Sequence, residues 1–125
     1  MRFGILFVSC AAFLAATAGE GPMYKVKDEV VVSGKVVSVT SVPDWMGKDG
    51  LNIALQGAEV SAPHVDVATA SFLKMLEFPI GVGDELQLTG CWSQSSDGQA
   101  VFLVHTLKNR KVTLNVRDPG GSPLW

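Results

Sequence analysis

Between Val30 and Val42 the chain carries seven valines, separated by serine, threonine and lysine and broken by a single glycine, Gly34. A run this rich in β-branched residues excludes a helix. Such side chains lose rotamer freedom against the preceding helical turn but fit the pleated surface of a strand. Apolar positions are even-numbered before Gly34 (Val30, Val32) and partly odd-numbered after it (Val37, Val39). The facing of the strand therefore slips, and Gly34 is the expected place of a bulge or sharp bend.

The rest of the chain follows from the same periodicities. Pro43 to Gly50 is a loop by composition. Leu51, Ile53 and Leu55 alternate with Asn52, Ala54 and Gln56 in a half-buried second strand. After the Gly57-Ala58-Glu59 turn, Val65 and Val67 alternate with His64 and Asp66 in a third. The period then changes. Phe72, Leu73 and Leu76, with Met75 beside them, predict a helix of about two turns, opened by Thr69 or Ser71 and ended by Pro79. Met75 is expected to pack. Leu86 and Leu88 alternate in a fourth strand that runs to Trp92. A turn at Ser95-Ser96-Asp97-Gly98 leads into a fifth strand, Ala100 to Leu107, apolar on both faces. A basic turn, Lys108 to Lys111, precedes a sixth short strand with Val112, Leu114 and Val116.

Three strands, a short helix and two more strands, the first strand long and kinked, is the layout of the OB-fold. A generic β-sandwich offers no reason for the helix. The expected fold class is all-β with one short helix: an OB-like five-stranded barrel over residues 29–125 with a C-terminal strand extension, after a flexible lead-in at 19–28.

The first residues predict export. Met1-Arg2 is a positive start, Phe3 to Ala16 is apolar and uncharged, and Ala16-Thr17-Ala18 is a small-x-small site. This is the pattern of a signal peptide, residues 1–18, removed to give a periplasmic or secreted protein. The apolar run is shorter than the roughly 20 residues a bilayer requires, so no stable membrane insertion is expected after cleavage. Phe7-Val8-Ser9-Cys10 is a poor lipobox. One cysteine, Cys91, then remains, so no internal disulfide can form and stability must come from packing.

The chain resembles a group of small exported bacterial OB-fold proteins of unsettled function. The likeness is carried by Trp45-Met46-Gly47 after the first strand, Phe72-Leu73 in the helix and Gly83-Asp84-Glu85-Leu86-Gln87-Leu88-Thr89-Gly90 at the fourth strand. Its most specific part is the ending Arg117-Asp118-Pro119-Gly120-Gly121-Ser122-Pro123-Leu124-Trp125. The resemblance implies the fold and the compartment and points to no particular activity. Members of the group tend to place a histidine on the third strand where this chain has Asp66, a departure that weakens a metal role carried over from them.

Composition and spacing then narrow the function. Ten Lys and Arg against twelve Asp and Glu argue against a protein built to neutralise nucleic-acid phosphates. The outer faces of strands two and three would show Asn52, Ala54, Gln56, His64 and Asp66, with no aromatic platform or cation for bases. Catalysis needs a nucleophile–base pair or paired carboxylates in an orienting shell, and the sequence has no H-E-x-x-H, G-x-S-x-G or C-x-x-C. Tryptophan is enriched at interface hot spots. Trp45 and Met46 in the first loop, with Asn52 and Gln56 on strand two, are therefore the candidate partner-binding residues. Trp125 reads as a clasp over the barrel.

The expected function is a non-catalytic binding module, without cofactor, that acts with a protein partner in the cell envelope. The alternative is a metal-binding or electron-transfer accessory protein of a copper or haem system. Its candidate ligands for copper or zinc are His64 and Asp66, two residues apart on one strand face. Cys91 and His105 are expected to miss each other, with Cys91 opposite residue 101 or 102 and His105 opposite 87 or 88.

Overall fold

The computed structural model describes residues 23–43, 47–57 and 59–125. A short 3-10 turn, Val26–Asp28, leads into β1 (Val30–Pro43), β2 (Asp49–Gln56), β3 (Ala62–Thr69), helix α1 (Ala70–Met75), β4 (Glu85–Gln94), β5 (Ala100–Lys108) and β6 (Thr113–Asn115). The strands pair in the order β3-β2-β1-β4-β5-β6, and a parallel pairing of β3 with β5 closes five of them into a ring. All other pairings are antiparallel. With α1 between β3 and β4, this is the expected mostly-β arrangement with one short helix, barrel-like and extended by β6.

The ring closes because β1 serves two partners. Residues Val30 to Lys35 pair with β4, and Lys35 to Pro43 pair with β2. Gly34 lies at the change of partner, where an added Cβ would sit 2.4 Å from the Gln56 carbonyl oxygen. Its lack of a side chain allows this approach. The irregularity itself lies further on, where the β1–β2 register slips between Val36 and Ser38. Val32 and Val36 are buried in the core and Val39 packs against it, so the facing changes between Val36 and Val39 and not at Gly34.

Inward-facing Val32, Val36, Ile53, Leu55, Val65, Val67, Leu88, Phe102, Val104 and Leu107 fill the ring. Each fully buried side chain of this size contributes about 1.5–3 kcal/mol. Leu73 of α1 and Phe78 after it join the same core. The Thr69 hydroxyl caps α1 by accepting from the Phe72 N–H at 3.3 Å. At six residues the helix has the expected length of about two turns. Glu77 takes φ 57°, and the Phe78 N–H turns back to the Leu73 carbonyl at 3.0 Å, ending the helix before Pro79. Phe78 thereby enters the core, while Met75, expected to pack, is 69% exposed.

The β4–β5 hairpin also departs from expectation. Gln94 pairs with Ala100, which centres the turn one residue later than Ser96. A register shift between Thr89 and Gly90 then leaves His105 between paired Val104 and Thr106. Cys91 pairs with Leu103, and His105 lies beside Thr89 and Gly90, closer to Cys91 than the sequence suggested. A Cβ on Gly90 would lie 1.9 Å from the Leu103 carbonyl oxygen. Among the described residues, no helix is long and apolar enough to cross a membrane.

Candidate functional site

Of the sequence-predicted binding residues, the structure describes Asn52 and Gln56, which sit at different places along β2. Trp45 and Met46 lie outside the described residues, as do positions 1–22, which include the predicted signal peptide. Their loop springs from the pair Pro43 and Asp49. Asn52 is half-buried on the outer face of β2. Gln56 ends that strand, seven residues from Asp49, roughly 23 Å along it. There Gln56 lines a different cleft, beside Lys35, Lys108 and Arg110.

His64 and Asp66 share a face of β3 but engage different neighbours. The Gln99 Nε2 amide donates to His64 Nε2 at 2.9 Å, which occupies the lone pair a metal would use. The charge of Asp66 acts on Arg117, favouring its cationic form. Among the described residues, no group of three His, Cys, Asp or Glu side chains is placed to hold a metal ion.

A groove does form at the loop end of the barrel. Gly50 pairs with Thr69, the cap of α1, so the base of the β1–β2 loop adjoins the start of the helix. Beside it Leu51, Ala70, Leu73, Phe78, Pro79 and Ile80 line a recess of about 300 Å³, with Lys74 and Glu77 among the lining residues. Met75 and Val82, each 69% exposed, and Leu76, 41% exposed, belong to the same helix and the segment that follows it. Exposed apolar side chains on the same elements that form an apolar recess mark a surface suited to contact with another molecule. An apolar floor with charged residues around it matches the anatomy of a protein interface.

A second cluster lies on the outer face of β4 and β5, and sequence reasoning missed it. The lead-in crosses this face: the Lys25 N–H donates to Cys91 Sγ at 3.2 Å, and the Ser93 hydroxyl donates to the Met23 carbonyl at 3.0 Å. Glu29 Oε2 accepts from the Tyr24 hydroxyl at 2.5 Å and meets His105 Nδ1 at 2.7 Å. Those bonds, the Tyr24 bond first, hold the Glu29 carboxyl below its ordinary pKa. Burial, and then Glu29 itself, push the Tyr24 phenol up. An ionised carboxylate only accepts, so the proton of the second contact sits on His105 Nδ1.

The tail closes the cluster from the other side. Buried Arg117 donates through Nε to the Val104 carbonyl at 3.1 Å and through Nη1 to the Gly121 carbonyl at 2.8 Å. Its guanidinium lies 5.1 Å from the Tyr24 ring centroid and 5.2 Å from that of Trp125. Burial lowers its pKa, while Asp66, Tyr24 and Cys91 oppose that shift. Trp125 also meets the Phe72 ring at 6.3 Å and packs on the core. These groups spend their hydrogen bonds on one another, and what they do is fasten both ends of the domain. The available signal was β5 itself, since a strand apolar on both faces must be covered on both.

Among the described residues, these features define a small mostly-β, barrel-like domain with an apolar groove beside one short capped helix. The chain belongs to the MamS/MamX magnetosome protein family, whose model matches residues 29–114. The matched span runs from Glu29 to within β6 and leaves Arg117–Trp125 outside it. No curated protein matches the chain.

Proposed function

We propose that this chain is an exported, non-catalytic binding module, without a cofactor of its own, that docks a protein partner in the cell envelope. The observation that carries the reading is the apolar recess beside α1, together with Met75, Leu76 and Val82 left exposed on that helix and the segment after it. Membership of a magnetosome-associated family is compatible with an envelope role. A partner would seat an apolar side chain between Leu51, Leu73 and Phe78, and Lys74 and Glu77 would set its direction. Trp45 and Met46, on the loop that springs from this end, supply further contact area.

A photo-crosslinking residue placed at position 75 in living cells tests this. It is expected to give a defined product with one protein, and the same residue at exposed position 31 is expected to give none. No product at either position, or equal yields at both, would sink the reading. In the same setting Trp45→Ala is expected to lower the yield while changing stability by no more than about 0.5 kcal/mol.

A further inference from the structure

A second surface adjoins the α1 recess at Pro79, which lines both, but draws on a different set of charged residues. Two clefts of about 490 and 520 Å³ adjoin at the start of β4 and share Lys35, Glu85, Asn109 and Arg110 among their lining residues. Lys111 lines one and Lys108 the other. Four of the chain's ten basic residues thus converge from β1 and from the β5–β6 turn, all of them exposed. Two carboxylates, Asp84 and Glu85, share the clefts, and Asp84 Oδ2 already accepts the Gly81 N–H at 2.8 Å.

The turn that carries two of the cations is a built one. Asn109 Oδ1 accepts the N–H groups of Lys111 and Val112, each at 2.8 Å, and the Asn109 N–H donates to the Val112 carbonyl at 3.0 Å. Arg110 and Lys111 are therefore held at its tip, with Val112 beside them 48% exposed. Val82 sits on the neighbouring loop, where the Gly83 N–H donates to the Val36 carbonyl at 2.8 Å. Val37 is exposed next to that anchor.

We infer that this rim binds the phosphate-bearing headgroups of an anionic lipid bilayer. Exposed lysines around an open mouth suit many phosphates spread over a surface. A single enclosed phosphate would call for buried donors. Exposed valines on the segments that adjoin the cations separate a bilayer from an acidic protein segment. Charge alone satisfies an acidic segment, whereas apolar side chains beside basic ones reach below the headgroups of a lipid interface.

The test uses the full chain and two kinds of vesicle, phosphatidylglycerol mixed with phosphatidylcholine in equal parts and phosphatidylcholine alone. Cosedimentation is expected with the anionic vesicles only, and raising the salt is expected to release the protein. The variant Lys108→Gln, Arg110→Gln, Lys111→Gln is expected to bind roughly fivefold more weakly for each cation removed. The variant Lys25→Gln, Lys27→Gln, Lys74→Gln removes the same charge elsewhere and is expected to bind far more strongly than the first. Val82→Ser with Val112→Ser is expected to weaken binding without changing its salt dependence. Thermal melts confirm that each variant folds.

Equal losses in the two charge variants would reduce the effect to net charge and overturn the inference. So would equal binding to both vesicles, which would assign it to the apolar leader. Release by millimolar inorganic phosphate at constant ionic strength would make the rim a free-phosphate site. Retention of a polyglutamate peptide with no dependence on the valines would make it a protein site. Either result replaces the bilayer.

Discussion

The two faces of β5 are both apolar, yet they are covered in different ways. Inside, Phe102, Val104 and Leu107 meet side chains from the other strands of the ring, and the contacts are apolar throughout. Outside, Val101 and Leu103 join Cys91 in a smaller cluster under Tyr24. That cover continues as a bonded cluster of Glu29, His105 and Arg117. The inner face needs only shape and volume. The outer face depends on particular donors and acceptors, because the segments lying on it bring their own polar groups and each must be satisfied when buried.

The largest effect should come from the inner face. Phe102→Ala is expected to cost about 3–5 kcal/mol in denaturant unfolding, through lost burial and the cavity left behind. On the outer face, Arg117→Ala is expected to cost about 3 kcal/mol, since it abandons two carbonyls and two aromatic rings. Arg117→Lys should recover little of this, because an ammonium lacks the planar fork that reaches both carbonyls while stacking. A cost below about 1 kcal/mol for Arg117→Ala would show that the outer cover adds little to the domain. Trp125→Ala is expected to cost about 2 kcal/mol, less than a fully buried tryptophan, because it is only half-buried. A silent Trp125→Ala would mark the tail as a free segment.

The smallest effect is a dependence on pH. Glu29 has its pKa lowered in the folded state, so its contribution is fully present above its unfolded value and is lost as pH falls through the folded one. Stability should therefore decline below the ordinary carboxylate range in the wild type. Glu29→Gln should lack that part of the decline when melts are compared across acid pH. An unchanged acid profile would remove Glu29 from the outer cluster's energetics.

Much of the fold was legible because its signals are local. Alternation in Leu51 to Gln56 and in Glu85 to Thr89 marks strands whatever they pair with, and the change of period at Phe72 marks the helix. Thr69 and Ser71 both read as caps from their places before the apolar residues, and the structure uses Thr69. The site was less legible. Met75 falls at a helical position that reads as packing, but the turn at Glu77 sends Phe78 into the core instead. Gln56 reads as one more outward residue of β2, and only the pairing of Lys35 with both Gln56 and Glu85 places it among the cations.

The sequence by itself determined the order and type of the elements, the inward side chains of β2 to β4 and the need for a cover on both faces of β5. Those properties depend on residues within a few positions of one another. The tertiary structure alone decided the slips at Val37 and His105, the closure of β3 on β5 and the meeting of Tyr24 with Arg117. It also decided the convergence of Lys35 with Lys108, Arg110 and Lys111. Each of these joins residues distant along the chain. Where such residues meet depends on how the whole ring closes, because one shifted pair moves every side chain beyond it.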